Sequence, residues 1–265
     1  MLRKHYSAIC VYGDLRMLDF VQAYGLDEDL ASRLHYCGYL GRPTPARNGS
    51  PGTPERPLVV ATSGGGVDGP ALLETFVQAA GRLQRRMGGT WTAVTGPLMD
   101  DDDHARIVSL AEHDHVTVQR LDPDLRNTVA AADCVVSMAG YNTVCDIMSY
   151  CRPSVLVPRE QPSKEQRLRA ERLREWGVAE VVHADELRPA GLADAIENAL
   201  GRHAPTTAPV PLGGLERAVE VFDGLCAETE VASDGLLEHV SPELVLVSPA
   251  ESAAGVREGL PPPAA

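Results

Sequence analysis

An α/β fold, a parallel sheet covered by helices, is predicted by three observations on this 265-residue chain. From Leu58 onward, short β-branched apolar runs alternate regularly with amphipathic stretches of helical length. Glycines follow the ends of several of these runs, at Gly64, Gly96 and Gly140. A hydrophobic content of 44% suffices for a substantial core.

Taken in order, residues 7–13 (SAICVYG) read as a strand, 15–25 (LRMLDFVQAYG) as a helix ending at Gly25, and 34–40 (LHYCGYL) as another strand. A segment this short cannot bury both its faces. Residues 41–57, rich in Pro, Gly and Ser, read as a linker. Then strand and helix alternate: strand 58–65, helix 71–84, strand 91–96, helix 104–113, strand 116–121 and helix 125–132. The pattern continues with strand 134–138, turn 139–143, helix 144–150, strand 154–158, helix 164–176, strand 179–183 and helix 193–200. Residues 216–229 form a last amphipathic helix after a Pro-rich turn. The expected organisation is thus 1–40, linker 41–57, a ligand-binding domain over 58–203, a C-terminal helix within 204–230, and a largely disordered tail over 231–265. Within that tail, 241–249 could form one edge strand.

The most informative stretch is 137–175, where a buried strand empties into a Gly-containing turn that opens a helix. This is how a nucleotide's phosphates are held: Gly140 allows close backbone approach, Asn142 or Thr143 can cap, and the first free N–H groups of the helix point at an anion. Asp146, one or two turns further on, suits a ribose diol, whose two hydroxyls are donors for its two oxygens. In open parallel sheets, ligands bind at the carboxyl ends of the strands.

A formal net charge of −13 argues against nucleic acid as the main ligand, because phosphate neutralisation needs clustered Lys and Arg. The local exception is Lys164, Arg167, Arg169, Arg172 and Arg174, read as a salt-bridged outer face. No run of 18 apolar residues exists, and the first residues lack a secretory core, so the expected location is cytoplasmic, with peripheral membrane contact left open. Six cysteines without a C-x-x-C pair indicate reduced, mostly buried thiols. Asp100–Asp103 with His104, and His113, Asp114 and His115, read as solvated connections, and no metal site is expected.

With ATSGGGVDG, SMAGYNTVCDIMSYCRPSVLVPR and the KEQ before a helix in hand, the region over roughly 57–200 resembles the C-terminal, donor-binding half of MurG-like glycosyltransferases. Those enzymes have two Rossmann-like domains facing across a cleft, the GT-B arrangement. The resemblance implies that Ser63, Gly64 and Gly65 form the glycine loop facing the donor diphosphate, and that Gly140, Asn142 and Thr143 form the second phosphate-binding turn. It implies that Arg120 and Leu121 read the nucleobase edge through their backbone. Asp146 stands where the family has Glu on the ribose, and Glu165 and Gln166 match the paired polar residues on the donor sugar. A UDP-sugar is then the substrate, with no cofactor and no obligatory metal.

The family's acceptor-binding domain has counterparts here only in about its last forty residues. His5 and His35 sit on no recognisable loop motif, so no catalytic base is assigned. The expectation is either a gene start upstream of Met1 or a separate acceptor domain or subunit as partner. The alternatives are a nucleotide-sugar-binding module without activity of its own and a UDP-GlcNAc 2-epimerase, for which no matching acid/base set is found.

Overall fold

Residues 5–41, 56–112, 116–161, 163–202 and 205–233 are described by the structure, a computed structural model, with side chains described as far as residue 227. The chain divides into two compact units, one made of Met1–Arg42 with Val210–Ala265, the other of Pro43–Pro209.

In the first unit, β1 (Ile9–Val11) pairs in parallel with β2 (Leu34–Tyr36), joined through α1 (Phe20–Tyr24) and α2 (Glu28–Ser32). The helix expected over 15–25 is shorter than its apolar pattern suggests. Asp14 captures the backbone N–H of Arg16 at 2.9 Å and its guanidinium as well, holding a turn, and Asp19 caps the helix by accepting from Gln22 N at 3.1 Å. Local carboxylates thus compete with the helix for backbone donors. Gly25 closes α1 in the left-handed region, as the sequence indicates.

The second unit carries the site. Its six strands are β3 (Leu58–Thr62), β4 (Thr90–Val94), β5 (Thr117–Gln119), β6 (Cys134–Ser137), β7 (Ser154–Leu156) and β8 (Ala179–Val181). All neighbours are parallel, in the order β5-β4-β3-β6-β7-β8. The connecting helices are α3 (Pro70–Met87), α4 (Asp101–Glu112), α5 (Leu125–Ala131), α6 (Tyr141–Tyr150), α7 (Glu165–Glu175) and α8 (Pro189–Gly201). This is the doubly wound α/β architecture expected from the alternation.

Side chains alternate across the sheet. Val59 and Ala61, Trp91 and Ala93, Cys134 and Val136 share one core with Phe76 of α3, Ile107 of α4 and Ile196 of α8. Trp91 donates its indole N–H to Gly88 O at 2.9 Å, so burial leaves no orphaned donor. Val60, Val135 and Leu156 point to the opposite face, and Val129, Ile147, Met148 and Leu173 of α5, α6 and α7 are likewise buried. The register between β3 and β6 is fixed at its start by Asp133, which accepts from Leu58 N at 2.9 Å and donates its own N–H to Leu58 O at 2.8 Å.

Several helices begin earlier than expected, α6 at Tyr141 rather than 144 and α8 at Pro189 rather than 193. The helix expected from His104 starts at Asp101: Asp101, Asp102 and Asp103 form its first turn, where carboxylates favour the helix dipole, and are not a connecting loop. The final helix, α9 (Gly214–Ser233), belongs to the first unit, whose Leu40 bridges Gly213 in antiparallel fashion. The edge strand considered at 241–249, most of the linker and most of the tail lie outside the described residues.

Candidate functional site

The strand order reverses between β3 and β6. The chain leaves β3 towards β4 on one side and β6 towards β7 on the other. At such a switch point the two connections diverge and leave a crevice at the carboxyl ends of the strands. Thr62 and Ser137 form the last paired rung. Gly64 follows two residues after the first, Gly140 three after the second, so both turns rise from neighbouring strand tips on the same edge of the sheet.

The turn after β3 is rigid. Ser63 donates its hydroxyl to Thr95 O at 2.6 Å, and Gly64 donates its N–H to Thr62 Oγ1 at 3.2 Å. Gly66 has φ +113°, and a Cβ there would lie 2.6 Å from Met99 N; a Cβ on Gly96 would lie 2.4 Å from Gly64 O. Leu98 N donates to Gly65 O at 2.8 Å. The loops after β3 and β4 are therefore interlocked. Among the described residues, the Gly65 N–H has no acceptor in the chain. The Ser63 hydroxyl is spent on holding the turn that carries Gly64 and Gly65. Gly69 and Pro70 then open α3.

The turn after β6 is held from above. Ala139 has φ +59°, a left-handed conformation that costs an L-residue about 1 kcal/mol. Its carbonyl accepts from Arg169 Nη1 at 2.8 Å, while the Arg169 guanidinium stands 5.7 Å from the centroid of the Tyr141 ring. Arg169 is only 6% exposed. Gly140 is the N-cap of α6, with φ −60° and no side-chain cap bond. Neither Asn142 nor Thr143 is a cap, contrary to the sequence reading, because the helix starts at Tyr141 and they are its second and third residues. The first helical bond runs from Val144 N to Gly140 O at 2.9 Å. The backbone N–H groups of Asn142 and Thr143 therefore have no acceptor among the described residues. A Cβ on Gly140 would meet nothing within 4 Å, so the crevice in front of it is open.

Asp146 is half-buried and paired with Arg126 Nε of α5 at 3.2 Å. Burial pushes its carboxyl above the ordinary range, opposed by the Arg126 charge. Beyond β5, Arg120 is occupied: its carbonyl accepts from Gly96 N at 2.9 Å, and its guanidinium donates to Met99 O at 2.8 Å and Asp101 at 2.7 Å. Leu121 is 61% exposed with no backbone partner among the described residues. Beyond β7, Gln166 Oε1 accepts from Arg159 N at 3.2 Å, leaving the amide nitrogen as donor. Glu165 is buried, and its N–H donates to Ser163 Oγ at 3.2 Å.

The basic residues of α7 behave as a salt-bridged face: Arg167 pairs with Glu160, Arg172 with Glu175 and Arg174 with Glu171. Arg169 departs from that reading. It shares the buried register of Glu165, Ala170 and Leu173; the four-residue spacing from Glu165 was the available signal. Asp68 and Arg159, an ion pair between the loops after β3 and β7, carried no signal in the sequence. Among the described residues no group of three His, Cys, Asp or Glu side chains is placed to hold a metal ion, and no helix is long and apolar enough to cross a membrane. His113, Asp114 and His115 lie outside the described residues.

A family model, the glycosyltransferase family 28 C-terminal domain, matches residues 59–207, more than half of the chain. The chain belongs to this family. The chain is 25% identical over 180 residues to the UDP-N-acetylglucosamine--N-acetylmuramyl-(pentapeptide) pyrophosphoryl-undecaprenol N-acetylglucosamine transferase of Synechococcus sp. (strain CC9605), across 67% of this chain and 48% of that protein. Among solved structures it is similar to MurG of Acinetobacter baumannii, at 16% identity and TM-score 0.56 over 82% of this chain and 61% of that one. It is also similar to the calicheamicin glycosyltransferase CalG4, at 19% identity and TM-score 0.54 over 89% and 54%. The six-stranded sheet of this family 28 domain is the C-terminal half of a MurG-like GT-B fold, as the sequence resemblance implied. Its matches to curated relatives span less than half of their length.

Proposed function

We propose that this chain is the donor-binding part of a glycosyltransferase that transfers a hexosyl group, GlcNAc first, from a UDP-sugar to an acceptor it does not itself identify. One observation carries the reading: two glycine turns at the switch point, on neighbouring strands, present backbone N–H groups of Gly65, Asn142 and Thr143 that have no acceptor among the described residues. Such donors suit a diphosphate. Support for GlcNAc comes from curated relatives named as N-acetylglucosamine transferases.

In this reading Gly64, Gly65 and Gly140 let the backbone approach the pyrophosphate, and Leu121 offers its main chain to the uracil edge. Asp146 accepts from the ribose hydroxyls. Gln166 donates its amide to the donor sugar, with Glu165 beside it. Transfer moves the bonding electrons of the anomeric C–O bond onto the leaving diphosphate, so negative charge grows where these N–H groups point. Donors already aimed at that charge lower the barrier without reorganisation. The reaction is a single displacement with inversion: the acceptor oxygen bonds to the anomeric carbon as UDP departs, and the acceptor's proton passes to a base on the acceptor side. No metal ion takes part in this scheme.

Calorimetry of the full chain with UDP tests the reading. Binding in the micromolar to millimolar range is expected, at roughly −4 to −8 kcal/mol. A folded protein that takes up no UDP at millimolar concentration removes the site.

A further inference from the structure

The loops after β3 and β7 leave the sheet two strands apart, about 10 Å, with the turn after β6 between them. Arg159 closes that distance. Its guanidinium Nη1 pairs with the Asp68 carboxylate at the end of the glycine turn, directly before Gly69 opens α3. Its backbone is fixed by donation to Gln166 Oε1 at 3.2 Å. Its Nε is shielded from water and has no acceptor among the described residues.

These facts place a cation across the mouth of the crevice, with its Nε donor unspent. They also place a carboxylate at the anion-seeking end of α3. Both side chains are partly exposed, 32% for Arg159 and 46% for Asp68, and an ion pair this open to water is weakly held. A diphosphate entering between the two glycine turns brings more negative charge than Asp68 carries. It also offers oxygens that suit the planar guanidinium, which binds phosphate through two parallel N–H groups.

We infer that Arg159 is a ligand of the donor's diphosphate, and that Asp68 is an internal carboxylate that holds Arg159 over the crevice until the diphosphate replaces it. The inference rests on the reading that this crevice binds a nucleoside diphosphate. Arg159 then neutralises charge on the leaving group, and Asp68 returns to it when UDP departs. Asp68 thereby lowers affinity for the product and speeds its release.

The test is calorimetry on the full chain with UDP and UMP, for the unaltered protein, Arg159→Gln, Asp68→Asn and the double variant. Arg159→Gln is expected to weaken UDP by about tenfold or more and UMP by less than about threefold, the loss expected for a charge-assisted contact to the second phosphate. Asp68→Asn is expected to tighten UDP by about threefold, a gain that vanishes in the double variant. If the unaltered protein binds UDP while Arg159→Gln binds it within about twofold as well, the inference fails and the proposed function stands. If the unaltered protein does not bind UDP, both fail. Should Arg159→Gln not fold by circular dichroism, Asp68→Asn decides alone: tighter UDP binding supports the exchange, and unchanged or weaker binding overturns it.

Discussion

Arg169 donates its Nη1 to the carbonyl of Ala139 at 2.8 Å, linking the middle of α7 to the turn that opens α6. Thirty residues of sequence separate the two, and the bond is buried. Ala139 sits in the left-handed region with its own N–H only 3.4 Å from Ser137 Oγ, a long contact that cannot hold the turn by itself. The guanidinium is what fixes the direction in which Gly140 and the first turn of α6 face.

Removing that donor leaves a buried carbonyl without a partner, at a cost of about 1–3 kcal/mol. Arg169→Ala is therefore expected to lower the urea midpoint and to weaken UDP, whereas Arg169→Lys, which keeps one donor and the charge, recovers part of both. Equal unfolding midpoints for Arg169→Ala and the unaltered protein would show that the turn holds itself.

Glycines of the two turns separate fold from ligand. Gly140 has φ −60° and open space where a Cβ would project, so Gly140→Ala is expected to leave stability within about 0.5 kcal/mol and to weaken UDP by about tenfold. Gly66→Ala instead pushes a methyl to 2.6 Å from Met99 N at φ +113°, and is expected to destabilise the domain by about 1–3 kcal/mol. Denaturant titration beside calorimetry distinguishes the two variants. Tight UDP binding by Gly140→Ala would put the ligand elsewhere.

Asp146 gives a pH dependence of definite sign. Burial holds its carboxyl above the usual value of 3.8, against the pull of Arg126. Between 3.8 and that raised value the folded protein keeps a proton that the unfolded chain has lost, so this group's contribution to stability declines as pH rises through the window and is level above it. UDP binding runs the other way, since only the ionised carboxylate accepts from both ribose hydroxyls. Affinity for UDP is expected to rise through the same window in the unaltered protein and to stay flatter in Asp146→Asn. Identical pH profiles for the two proteins would remove Asp146 from the ribose.

Gln166 and Asp146 serve different parts of the donor. With its amide oxygen oriented by Arg159 N, Gln166 turns its amide nitrogen to the sugar as a donor. Gln166→Ala, which also releases the Arg159 backbone, is expected to weaken UDP-GlcNAc several-fold more than UDP, while Asp146→Ala weakens both equally. Competition calorimetry with the two ligands reads the difference directly.

Much of this arrangement was legible in the sequence because it is local. Strands such as Leu58–Thr62 and Cys134–Ser137 are short β-branched runs followed by glycine, and their helices show amphipathic spacing. What was not legible depends on which side chains compete for a backbone group. Asp14 and Asp19 shortened the helix expected over 15–25, and Asp27 caps α2, an element too brief for any periodicity to reveal. In the site, Asn142 and Thr143 looked like caps because their side chains suit that role, but Gly140 in an extended conformation already opens the helix. The Asp68–Arg159 pair spans 91 residues and exists only because β6 lies between β3 and β7 in the sheet.

The most direct measurement is an amide NMR titration of the full chain with UDP, following the N–H groups of Gly65 and Asn142. If the two turns grip one diphosphate, both resonances shift along a single binding curve with one dissociation constant. Movement of one amide while the other stays fixed, or two curves with different midpoints, would contradict a shared site.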